Sequence, residues 1–143
     1  MTAILAGSTD QSVDVFIADS SSSVGAGLTG LVYNTSGLTC YYRKGATGTM
    51  TALSLATQTV GGAHSDGGFV EIDATNAPGL YRLDLSDTIV AAEGRASLYL
   101  HGAANMAPCV DRIDCVPIPS NVKQINDVAI TGDGSSGDKF GVD

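Results

Sequence analysis

His64, Ser65 and Asp66 stand side by side and are the three residue types of a hydrolytic triad. A triad needs a base within hydrogen-bond reach of its nucleophile and a third group that orients the base. Adjacent residues in one glycine-rich loop do not converge in that way, so no catalysis is expected from them. Glu71, Asp73, Asp84 and Asp87 contain a candidate carboxylate pair across neighbouring strands, as glycoside hydrolysis requires. Acids on the solvent face of an antiparallel sheet give the same spacing, and that is the reading adopted. His101 is the other of only two histidines, which excludes a His-rich metal site, and nothing supports a two-His ligand pair. Gly132-Asp133-Gly-Ser-Ser-Gly-Asp138 alternates oxygen ligands with glycine, yet its spacing fits neither an EF-hand nor a nonapeptide repeat, so it is read as a turn. Asn34-Thr-Ser36 matches a glycosylation acceptor and is likewise read as a turn. Gly25-Ala-Gly27 lacks the strand, helix and Lys context of a phosphate loop. The expectation is a non-enzymatic chain with no cofactor and no metal.

Cys40, Cys109 and Cys115 are an odd set, which argues against a closed disulfide framework. Cys109 and Cys115 share one face of one expected strand, and a rise of about 3.3 Å per residue sets them about 20 Å apart, too far to bond. Buried free thiols are expected, with burial raising their pKa, and no nucleophilic role is expected of them.

The elements that must hold these residues read as strands. Among 143 residues there are 18 Gly, no Trp and 15% charged side chains, a composition that suits many short strands and tight turns. The net charge of −8 opposes phosphate backbones, and the seven Lys and Arg are scattered, so a nucleic-acid partner is not expected. No segment approaches the roughly 20 apolar residues of a membrane span, and the opening Met1-Thr-Ala-Ile-Leu-Ala-Gly7 lacks the basic start of a signal peptide.

Residues 12–18 alternate, with Val13, Val15 and Ile17 on one face. Residues 28–33 and 38–43 flank the turn Asn34-Thr-Ser-Gly37 and are expected to pair as a hairpin. A short strand is expected over 50–55, a loop over 58–68, an extended stretch over 69–73 and a turn over 76–79. Residues 80–85 follow, with Tyr81, Leu83 and Leu85 opposite Arg82 and Asp84. Ser86 is a candidate N-cap for a single helical turn that ends at Gly94. Residues 95–101 place Ala96, Leu98 and Leu100 against Ser97, Tyr99 and His101, and residues 109–116 make a last long strand. These elements imply an all-β fold, an antiparallel β-sandwich of seven to eight strands, Ig-like or jelly-roll-like, over residues 1–118. Proline at 117 and 119 ends the pattern. Residues 119–143 are then a linker and extended C-terminal tail, in which 122–125 and 128–131 flank Asn126-Asp127 as a short β-hairpin that needs a partner surface to be stable.

Val15-Phe-Ile-Ala-Asp-Ser20, Gly27-Leu-Thr-Gly-Leu31, Gly67-Gly-Phe-Val-Glu-Ile-Asp73 and Pro78-Gly-Leu-Tyr-Arg-Leu-Asp-Leu85 together resemble the N-terminal β-domain of a group of tailed-bacteriophage virion proteins. The likeness covers roughly residues 12–116. The run Val122-x-x-Ile-Asn-x-x-x-Ile-x-Gly-x-Gly134 is similar to an end segment of such proteins, but shorter than their fibre-like continuations. The resemblance implies no catalytic residue. It implies a structural virion component made in the bacterial host cytoplasm, docking on capsid or tail as a decoration, adaptor or short fibre or spike protein. Its partners are then other virion proteins and further copies of itself, with a trimer the preferred state. Val122, Ile125, Val128, Ile130 and Phe140 are the expected partner-binding residues of the tail. The alternative is a carbohydrate-binding module of a host-recognition device, with Tyr33, Tyr41, Tyr42, Tyr81 and Tyr99 available to stack on a sugar.

Overall fold

The structure is a computed structural model and describes residues 1–117, 124–125, 128–131 and 141–142. Nine strands build two sheets, and what divides them is the alternation of side chains. Val13 and Val15 on β2 (Ser12–Phe16), Phe69 on β6 (Gly68–Asp73) and Tyr81 and Leu83 on β7 (Ala77–Asp84) all point to one side. With the two-residue β5 (Ala56–Thr57) they form the sheet β2-β7-β6-β5. The facing sheet runs β1-β9-β8-β3-β4, from β1 (Thr2–Leu5), β9 (Cys109–Val116), β8 (Gly94–His101), β3 (Thr39–Lys44) and β4 (Thr51–Ala52). It turns inward Ile4, Cys40, Ala96, Leu98, Leu100, Ile113 and Cys115. Removing one such Leu or Ile side chain from water stabilises the fold by about 1.5–3 kcal/mol. At the centre the rings of Phe69 and Tyr81 stack with centroids 4.8 Å apart.

The sandwich is therefore confirmed, with two departures from a purely antiparallel arrangement. β1 runs parallel to β9, and β5 runs parallel to β6. The opening residues, weighed only as a leader, supply an edge strand because Ile4 and Ala6 are the apolar side chains buried there. The single helical turn is α1 (Asp87–Val90), which buries Ile89 and Val90. Ser86 occupies its N-cap with extended backbone, but its hydroxyl pairs with that of Thr88 rather than with a helix amide.

Two expectations need correction. Residues 28–33 form no strand, so the hairpin with 38–43 does not exist. Leu28 and Leu31 are the side chains that pack inward, a spacing of three that no strand satisfies, and the amides of this stretch bond mainly to side chains. The turn expected at 76–79 lies at 74–76, where the Asp73 carboxylate accepts hydrogen bonds from the amides of Thr75 and Asn76. That frees Ala77, Pro78 and Gly79 to start β7.

In the C-terminal segment β10 (Gln124–Ile125) pairs antiparallel with β11 (Val128–Thr131), with Ile125 opposite Val128. β12 (Gly141–Val142) adds to the other side of β11. Among the described residues no helix is long and apolar enough to cross a membrane.

Candidate functional site

The chemistry-bearing residues gather in three places. The first is Asp84. Alternation places it on the outer face of β7, yet it is fully buried, so the expectation of a solvated outer-face acid is wrong for this residue. One carboxylate oxygen accepts from Ser12 Oγ at 2.6 Å and Arg82 Nε at 2.8 Å. The other accepts from Gln58 Nε2 at 2.6 Å, the Ser65 amide at 3.0 Å and an Arg82 terminal nitrogen at 3.2 Å. Burial pushes this carboxyl up, but its hydrogen bonds from Ser12, Arg82, Ser65 and Gln58 outweigh that and hold it down to about 2.

Arg82 also donates to the carbonyls of Val60 and Gly62, and Gln58 to that of Ala63, so these polar groups strap the glycine-rich loop over the outer face. A Cβ on Gly68 would stand 2.6 Å from the Asp84 carboxylate, which is why the strand beneath begins with glycine. His64 lies at the rim. Its Nε2 bonds the Leu85 carbonyl at 2.9 Å, and its Nδ1 stands 3.3 Å from Asp10 and 4.0 Å from Asp66. Among the described residues no hydroxyl is its partner, and the Ser65 amide serves Asp84 instead. The cluster is a clamp with the residue types of a catalytic site and the connectivity of a structural one.

The second place joins residues 15–20, 27–31, 67–73 and 78–85. Tyr81 Oη donates to the Leu28 carbonyl at 2.7 Å and accepts from the Leu31 amide at 3.2 Å, and Glu71 Oε2 accepts from the Gly30 amide at 2.8 Å. Gly27 and Gly79 meet backbone to backbone: a Cβ on Gly79, which has φ +84°, would stand 2.5 Å from the Gly27 Cα. The four segments thus pin the 27–31 loop to β6 and β7. Beside it opens a cavity of about 360 Å³ lined by Leu31, Tyr33, Thr57, Phe69 and Glu71 among others. Glu71 Oε1 is buried without a hydrogen-bond partner among the described residues. It is the single acid of this lining, and one acid does not make a hydrolytic pair.

The third place is the outer face of the five-stranded sheet. Tyr41 on β3 lies directly opposite Tyr99 on β8, and Tyr99 opposite Val110 on β9. His101 completes the group, its ring centroid 4.7 Å from Tyr99 and 6.2 Å from Tyr41. Val110 is 70% exposed. Beyond them on the same face stand Arg43, Arg95 and Arg112, three of the seven basic residues of a chain with net charge −8. Arg43 is engaged with the Ala46 and Gly48 carbonyls of the following turn, while Arg95 and Arg112 are exposed.

Of the five tyrosines weighed for sugar stacking, Tyr81 is buried in the core and Tyr42 packs against it, which removes both. Tyr33 lines the cavity, and Tyr41 and Tyr99 form the outer pair. Of the tail residues, Ile125, Val128 and Ile130 lie on strands, while Val122 and Phe140 fall outside the described residues, as does the boundary expected at Ile118. The three cysteines are buried and free. Burial raises the Cys109 thiol and pushes that of Cys40 up to about 12. Among the described residues no cluster of His, Cys, Asp and Glu is arranged to hold a metal ion.

The chain matches no family model, no curated protein and no solved structure. The Asp84 clamp escaped the sequence reading because period two speaks only of sheet faces, and a loop distant in sequence covers this one. The Tyr41–Tyr99–His101 group was within reach: all three alternate outward, and pairing β3 with β8 is enough to bring them together.

Proposed function

We propose that this chain is a non-catalytic structural component of a tailed-phage virion, a decoration, adaptor or short-fibre module that docks on capsid or tail through the outer face of its five-stranded sheet. The observation that carries the reading is that face, where Tyr41, Tyr99, His101 and Val110 stand together beside exposed Arg95 and Arg112. Aromatic residues and arginine are enriched where proteins bury surface against one another, because each combines a large rigid contact area with a polar handle. The resemblance of residues 12–116 to virion β-domains supplies the kind of assembly. In this reading the acidic remainder of the surface keeps the free module soluble, and the tail adds strands to a neighbour.

Mass spectrometry of purified particles tests it. The chain is expected in them, and the double variant Tyr41→Ala, Tyr99→Ala is expected to fold normally but to be depleted from them. Absence of the wild-type chain from the particles sinks the proposal. Removal of residues 119–143 is expected to impair incorporation as well.

The aromatic group also favours a second reading, a glycan platform, since paired tyrosines offer ring faces for sugar stacking. A glycan array on which binding is lost with the same double variant would favour this reading over protein docking.

A further inference from the structure

The longest open edge of the sandwich is β2, and its hydrogen-bonding groups can be assigned from their neighbours. The Ile17 amide donates to the Gly79 carbonyl at 2.9 Å, and the Leu85 amide donates to the Gln11 carbonyl at 2.9 Å. Val13 and Val15 share that parity and face β7 across the same ladder. Ser12, Asp14 and Phe16 therefore turn their amides and carbonyls away from β7, and no described residue pairs with them. The other edges offer less. β4 and β5 are two residues each, and on β1 the Leu5 carbonyl is already capped by the amide and hydroxyl of Ser8. Beside the open edge of β2, Phe16 is 50% exposed.

We propose that β2 is a strand-addition edge that accepts the C-terminal segment, residues 118–143, of a second copy of this chain. The inference deepens the assembly reading above and rests on it. Self-pairing of β2 is disfavoured. The symmetric antiparallel register that uses all three free residues sets Asp14 opposite Asp14 of the other copy, and like charges directly opposed destabilise a pair. The tail has the complementary need. Its three strands, of two, four and two residues, are too small to bury an apolar face alone. They also carry Ile125, Val128 and Ile130, the kind of apolar side chain that half-exposed Phe16 would pack against. A carboxylate in the middle of the edge thus rejects another β2 while leaving the ladder open to an uncharged strand.

The test uses the full chain. Light scattering across micromolar concentrations is expected to show a multiple of the 14.5 kDa chain mass. Asp14→Pro removes an amide that makes no bond within the sandwich, so the circular dichroism spectrum is expected to stay native while the mass falls to one chain. Should that variant misfold, Phe16→Glu is read in its place. Ile125→Asp with Ile130→Asp is expected to dissociate the assembly equally. By hydrogen exchange, the amides of Ser12, Asp14 and Phe16 are protected only in the assembled form, those of Val13 and Val15 in both. A single-chain mass for the wild type, assembly that survives a folded edge variant, or assembly that ignores the tail substitutions overturns the proposal. None of these results bears on whether the chain is found in virions, so the two readings fail separately.

Discussion

Replacing Asp84 is the most demanding test of the clamp. The side chain is fully buried and accepts five hydrogen bonds, two of them from Arg82, whose own side chain is 16% exposed. Asp84→Ala leaves a nearly buried guanidinium without its anion and loosens the loop that Gln58 and Ser65 hold, which is expected to cost about 3–5 kcal/mol. Against a total stability of about 5–15 kcal/mol for a domain this is a large fraction, and for a chain of this size it lowers Tm by about 10–20 °C. Asp84→Asn isolates the charge. The folded carboxyl is held at about 2 from an ordinary 3.8, so its ionised form adds about 2 kcal/mol of stability at neutral pH. A depressed acid contributes in full above its unfolded pKa and loses that contribution as pH falls through the folded one. The wild type should therefore shed this increment between about pH 4 and pH 2, and the deficit of Asp84→Asn should shrink by the same amount over that window. Urea denaturation of wild type, Asp84→Ala and Asp84→Asn at pH 7 and at pH 2.5 measures each quantity. An Asp84→Ala cost below about 1 kcal/mol, or a deficit of Asp84→Asn that does not change with pH, would refute a buried ionic clamp.

Tyr81→Phe keeps the stacked ring but strands the Leu28 carbonyl and the buried Leu31 amide, for an expected loss of about 1–3 kcal/mol in thermal or chemical denaturation. Gly79→Ala is expected to be worse than an ordinary Gly-to-Ala change within a strand, because left-handed backbone and contact with Gly27 both oppose it; the fraction of soluble folded protein and its melting temperature report the effect. In native buffer at pH 8 a thiol reagent such as DTNB is expected to label Cys40 and Cys109 only as the protein unfolds, and labelling that outpaces unfolding would contradict the buried, raised thiols.

The sequence announced the sandwich wherever one residue in two was apolar and little else intervened. Tyr81, Leu83 and Leu85, and Ala96, Leu98 and Leu100, are fully buried, as their alternation required. It misled where a side chain substitutes for a ladder. Residues 28–33 are apolar enough to resemble a strand, but the hydroxyls of Tyr81 and Thr35 and the carboxylate of Glu71 satisfy their amides, and no local pattern announces partners that come from distant strands. The same blindness hid the environment of Asp84. Alternation states which side of the sheet a residue faces, and whether that side is wet depends on where a loop twenty residues away comes to rest.

That limit bears on the chemistry as well. His64, Ser65, Asp66 and Asp84 all come within one neighbourhood, where the His64 ring, the Ser65 amide and the Asp84 carboxylate are engaged with partners that hold the loop in place. A group that positions a loop spends its donors and acceptors on the fold, as the Asp84 carboxylate does with its five hydrogen bonds. Among the described residues, groups without a partner include Glu71 Oε1 beside the cavity and, at the surface, groups on the Tyr41–Tyr99–His101 face and along the open edge of β2. That face presents ring faces and guanidinium groups, and the β2 edge presents a ladder of backbone donors and acceptors, the two kinds of group on which the proposed contacts rest.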